Sequence, residues 1–76
     1  MTINEQGDEL LALMGSKVRE RRTQLGLSPD ELARCAGIGV DFLREIEAGR
    51  QGMTVENFFA VKQTLQVSFG YLFGEG

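Results

Sequence analysis

SPDELARCAGIGVDFLREIEAGR, residues 28–50, spells two short helices joined by a tight turn, and the rest of the chain reads as their support. Ser28 is followed three residues later by Glu31, so side chain and backbone at this helix start can satisfy each other's free groups. Pro29 stands at the first helical position, where a missing N–H costs nothing. Leu32, Ala33 and Ala36 share one face, and Gly37 follows where the chain must enter the left-handed region to stop and turn. Ile38 plugs the turn. After Gly39 a second helix is expected, with Leu43 and Ile46 inward and Val40, Asp41, Arg44 and Glu45 outward, and Gly49 ends it.

Small Ala33 lets the two helices approach, Gly37 permits the bend, and Leu32, Ala36, Ile38, Leu43 and Ile46 supply the apolar contacts that two steeply crossing helices require. This spacing resembles the helix-turn-helix of the lambdoid phage repressor and Cro superfamily, the xenobiotic-response-element type of bacterial transcriptional regulator. The likeness extends from Gly15 to about Gly74 and implies an all-α domain of five helices, with Leu10 to Met14 as an N-terminal extension of the first.

Seventy-six residues allow one small domain with a modest core, which makes oligomerisation plausible from size alone. Residues 1–7 are polar and are expected to fray, leaving residues 8–76 as a single domain around the motif at 28–50. With neither a long apolar run nor a basic-then-apolar leader, no membrane segment is read and a cytoplasmic location is expected. The chain has no histidine and one cysteine, Cys35, which leaves no internal disulfide, no zinc site and no histidine-based catalytic centre. Cys35 is either a small packing residue or a redox-sensing thiol. No cofactor, metal or enzymatic role is called for.

The net charge is −3, unusual for a duplex-binding domain. Its distribution is uneven: residues 1–14 hold Glu5, Asp8 and Glu9 and no base, while residues 15–50 hold seven bases against six acids. Upstream of the motif, Leu10, Leu11, Leu13, Met14, Val18 and Leu25 recur at helical spacing, which predicts one long helix from Asp8 to about Leu25 unless Gly15 and Ser16 split it. Downstream, Thr54 is expected to cap a helix with Val55, Phe58, Phe59 and Leu65 on its core side and Lys62 beside that stripe, its ammonium snorkelling outward. Ser68 caps a last short helix bearing Phe69, Tyr71, Leu72 and Phe73, and Gly74 closes it.

The resemblance implies a role for particular residues. In the repressor family the second motif helix lies in the major groove, and its base-reading places correspond here to Gly39, Val40, Asp41, Arg44 and Glu45. Arg44 suits guanine, Val40 a thymine methyl, and Asp41 and Glu45 either cytosine N4, the positioning of Arg44, or simply solvent. Pro29 replaces the glutamine that often opens the first motif helix, which removes a common contact. Phosphates would fall to Ser28, Arg34, Arg50, Gln51 and Lys17. Arg22 and Glu47 stand where the family pairs an arginine and a glutamate, which implies a structural bridge. Leu10 and Leu13 serve either the domain's own core or a subunit interface, and Phe69, Tyr71 and Phe73 either close the core or meet a partner chain. The implied function is a sequence-specific regulator, repressor or activator, bound to double-stranded DNA as a homodimer on a pseudo-palindromic operator, in a bacterial or phage setting at the nucleoid. The alternative is a degenerate helix-turn-helix that binds a protein partner as an adaptor or antiactivator, without DNA affinity.

Overall fold

Ser28 opens the second of five helices by reciprocal capping. Its Oγ accepts from Glu31 N at 3.1 Å, and Glu31 Oε1 accepts from Ser28 N at 2.9 Å. The computed structural model describes residues 3–74, and side chains from residue 9 onward. Among these residues the chain is all helical: α1 (Ile3–Gln24), α2 (Pro29–Ala36), α3 (Val40–Glu47), α4 (Val55–Leu65) and α5 (Phe69–Leu72). Gly37 ends α2 in the left-handed region at φ 72°, as the turn demands. Thr54 and Ser68 cap α4 and α5 by accepting from Asn57 N and Tyr71 N.

The first helix is longer than its apolar pattern predicts, because it begins at Ile3 instead of Asp8. Nothing in residues 3–7 breaks a helix once it is nucleated, and each added residue gains a backbone hydrogen bond. Of the segment expected to fray, residues 1 and 2 lie outside the described residues. Gly15 and Ser16 do not split α1. Gly15 is instead the crossing point with α3: a Cβ at Gly15 would stand 2.2 Å from the carbonyl oxygen of Ile46 and 2.9 Å from that of Glu47. Only a residue without a side chain lets these two helices meet so closely.

All five helices feed one core. Val18 of α1, Leu32 of α2, Leu43 of α3, Val61 and Leu65 of α4 and Leu72 of α5 are fully buried, and Met14, Ala33, Ile46 and Phe58 nearly so. Helix α1 packs on α3, α4 and α5, and α2 packs on α3 and α4. Arg21 fastens α1 to the end of α4 by donating from Nε to Leu65 O at 2.9 Å.

Two expectations for α4 are corrected. Its core stripe is Phe58, Val61 and Leu65, at spacings of three and four, which places Phe59 a third of a turn away and 46% exposed. Val55 belongs to the stripe by spacing but is 86% exposed, because it is the first residue of α4 and overhangs the core. Cys35 is exposed on α2, which rules out the packing role. Leu25, outside α1 in the turn before α2, is also exposed.

Candidate functional site

The outward face of α3 begins at Gly39, whose extended backbone (φ −72°, ψ 145°) starts the helix without a side-chain cap. Val40 follows, but it is half-buried and leans against the core, so most of its side chain is withdrawn from the outer face expected for it. Asp41 and Arg44 project fully outward. Their side chains are 95% and 60% exposed, and they pair loosely across one turn at 3.6 Å. A pair this long and this solvated leaves the Arg44 guanidinium available to another acceptor.

Glu45 does not meet Arg44. It meets Arg50, whose Nε donates to Glu45 Oε2 at 2.8 Å and whose terminal nitrogen donates to the same oxygen. The hydrogen bond from Arg50 holds the Glu45 carboxyl below its ordinary range, and Glu45 in turn raises Arg50. Two residues expected to face the bases and the phosphates separately are thus joined.

Arg22 and Glu47 are brought together under this face. Arg22 Nε donates to Glu47 Oε2 at 2.7 Å and its terminal nitrogen to Oε1 at 3.1 Å, while the other terminal nitrogen donates to Leu27 O at 2.9 Å. The two side chains are only 14% and 11% exposed. This fork fixes α1, the turn before α2 and the end of α3 relative to one another.

Arg19 is a residue the sequence analysis passed over. Gly15, Arg19 and Arg22 lie at i, i+4 and i+7 on α1 and therefore share the side that faces α3. Arg19, Arg22 and Arg44 line an open cleft of about 230 Å³ with Glu47 and Ala48. Its single carboxylate is held by Arg22, so the cleft carries a surplus of positive charge suited to an anion. The spacing from Gly15 was the available signal, legible only once Gly15 is known to mark the α1–α3 crossing.

The remaining polar residues divide. Arg34 is exposed in the last turn of α2, and Gln51 is exposed in the loop after Arg50. The Ser28 cap uses the hydroxyl oxygen as acceptor and leaves its proton to donate outward. Lys17 sits elsewhere, on the side of α1 away from Gly15. Its ammonium is 3.5 Å from Glu20 and 5.2 Å from the centroid of the Tyr71 ring, so it belongs to the α1–α5 corner.

At that corner Leu10, Leu13, Phe69 and Phe73 are exposed at 43%, 39%, 46% and 44%. Tyr71 differs from them: it packs against the core and its hydroxyl donates to Glu20 at 2.9 Å. Burial and that bond push the phenol above its usual value. Phe58 stacks on Phe73 at 5.4 Å and tilts against Phe69 at 5.2 Å, and these rings with Met53 and Val55 surround an open apolar recess of about 220 Å³. Lys62 Nζ lies over the Phe69 and Phe59 rings at 5.0 and 5.6 Å, two cation–π contacts that hold its stem along α4 and α5. Among the described residues no group of three His, Cys, Asp or Glu side chains is placed to hold a metal, and no helix is long and apolar enough to cross a membrane.

The helix-turn-helix family model matches residues 18–72. A transcriptional regulator in the ATPase CF(0) region of Rhodospirillum rubrum is 31% identical over 64 residues, 84% of this chain, which spans 59% of that relative's length. The HTH-type transcriptional regulator y4mF of Sinorhizobium fredii is 37% identical over 59 residues, 78% of each chain. Among solved structures, the restriction-modification controller protein C.AhdI of Aeromonas hydrophila superposes with a TM-score of 0.79 at 28% identity, over 83% of this chain and 96% of its own. The clp gene regulator ClgR of Corynebacterium glutamicum superposes with a TM-score of 0.81 at 27% identity, over 87% and 70%. These similar proteins are described as regulators, not as enzymes.

Proposed function

The chain belongs to the helix-turn-helix family of Cro/C1-type transcriptional regulators, and from that premise we propose that it binds double-stranded DNA sequence-specifically as a homodimer on a pseudo-palindromic operator, in the cytoplasm and at the nucleoid. Helix α3 enters the major groove with Arg44 as the principal base reader, directed at guanine O6 and N7. Asp41 orients Arg44, Glu45 faces cytosine, and Gly39 allows close approach of the backbone. Val40 offers a thymine methyl only the edge it leaves uncovered. Phosphates fall to Ser28, Arg34, Arg50 and Gln51, with Arg19 added from the cleft. Lys17, turned toward α5, has no part in this.

The observation that carries the reading is the position of Arg44: well exposed on the outer face of α3, above a cleft where guanidiniums outnumber carboxylates three to one. The apolar corner of Leu10, Leu13, Phe69 and Phe73 supports a subunit interface. Enrichment of duplexes from a random library by the full chain is expected to return a pseudo-palindrome with half-sites about 10 to 10.5 bp apart. Arg44→Ala should lose selection at one G·C pair per half-site, and unchanged selection removes Arg44 from the readout.

The two internal ion pairs on the α3 face favour a second reading, a protein-binding adaptor without DNA affinity, since each cation there already has a counter-charge. Failure to enrich any duplex at low salt selects that reading.

A further inference from the structure

Glu45 and Arg50 are held together by the backbone as well as by their charges. Arg50 N donates to Glu45 O at 2.9 Å and Gly49 N to Ile46 O at 3.0 Å, with Gly49 in the left-handed region at φ 78°. This C-terminal cap folds the chain back so that residue 50 returns over residue 45. Both Arg50 donors converge on Oε2, and the other carboxylate oxygen, Oε1, has no hydrogen-bond partner among the described residues. The side chains are 65% and 42% exposed. A pair this solvated is weakly held, so a stronger acceptor for the arginine can open it.

Opening it has a consequence for the carboxylate. If Arg50 turns to a phosphate, Glu45 is left as an uncompensated anion beside the DNA backbone, which repels it. That exchange gains little on its own. A cytosine N4 amine in the groove changes the balance, because it donates to the carboxylate just as Arg50 leaves.

Resting on the DNA-binding reading above, we propose that Glu45 and Arg50 act as one coupled reader: Glu45 withholds Arg50 from phosphate on duplexes that offer it no cytosine amine, and releases Arg50 when it accepts from one. The pair converts a base contact into a backbone contact. Its acidic member thereby lowers non-specific affinity, which suits a chain whose net charge is −3.

The test uses the full chain, fluorescence anisotropy between 50 and 200 mM salt, and two probes. One is an alternating duplex of 2-aminopurine and dT, which carries neither a cytosine N4 nor an adenine N6 amine in its major groove. The other is the duplex enriched from a random library. On the alternating duplex Glu45→Ala frees Arg50, so the log–log salt slope steepens by about 0.9, equivalent to about 3.5-fold more affinity lost across that fourfold rise in salt. On the enriched duplex the slope stays at the wild-type value and selection for cytosine falls. In an Arg50→Ala background, Glu45→Ala leaves the slope on the alternating duplex unchanged. Equal slopes for wild type and Glu45→Ala on that duplex overturn the coupling. So does an equal steepening with Arg50 absent, which reduces Glu45 to simple repulsion. If neither probe is bound at 50 mM salt by any of the proteins, the DNA-binding reading itself falls and this inference with it.

Discussion

Gly15 of α1 lies so close to the carbonyl oxygen of Ile46 in α3 that a Cβ there would be 2.2 Å away. The opposing atoms are backbone, which a rotamer change cannot move aside. Gly15→Ala gains about 1 kcal/mol of helix propensity and forces α1 from α3, which overpacking puts at about 1 to 3 kcal/mol or more. The net expectation is a lower melting temperature, by several degrees for a domain of this size. Gly39→Ser is the contrast: nothing lies within 4 Å of a Cβ there and φ is −72°, so stability holds or rises slightly as the hydroxyl caps α3. Thermal unfolding of the two variants checks both.

Arg22 and Glu47 form a forked pair with little water around it. Removing one partner strands the other, so Glu47→Leu should cost about 2 to 4 kcal/mol in chemical denaturation. Arg22→Met together with Glu47→Leu should recover much of that, because the desolvation of both charges disappears with them. A double variant no more stable than the single would make the pair a net stabiliser instead of an orienting device.

The α2 cap carries a pH dependence. The hydrogen bond from the Ser28 backbone N–H holds the Glu31 carboxyl below its ordinary range in the folded chain. A lowered folded value means that the contribution is fully present above the unfolded pKa and is lost as pH falls through the folded one. Glu31→Gln should therefore flatten the acid limb of the stability curve below about pH 4.5, measured by urea denaturation at a series of pH values. Ser28→Ala, at neutral pH, should cost about 1 kcal/mol.

The apolar corner gives an oligomerisation test. Leu10→Lys leaves α1 helical, since the residue it replaces is exposed on the outer side of a long helix. If that corner joins two copies, Leu10→Lys and Phe73→Ser each shift the sedimentation coefficient toward the monomer at micromolar concentration while helicity is kept. Sedimentation identical to wild type for both variants moves the interface elsewhere.

The inward half of the motif was legible from spacing alone. Leu32, Ala33, Leu43 and Ile46 are buried where a 3.6-residue period puts them, and Ser28, Gly37, Thr54 and Ser68 mark their helix ends by local chemistry. What spacing could not supply was the partner of each face. Gly15 carries the same letter whether it breaks a helix or admits another, and only the approach of α3 decides. Val55 fits the α4 stripe by angle and misses the core by axial position. Adjacency in sequence suggests Glu45 as a positioner of Arg44, yet neighbours in a helix diverge by 100°. The cap at Gly49 instead returns Arg50 to it.

The salt dependence of duplex binding by the full chain separates DNA binding from a protein-partner role. If α3 enters the groove while Ser28, Arg19, Arg34 and Arg50 meet the backbone, log K falls linearly with log salt at about −0.9 for each phosphate neutralised, a slope of roughly −2 to −3 per subunit. A slope near zero, with no duplex bound even at low salt, would contradict DNA binding and leave the fold serving a protein partner.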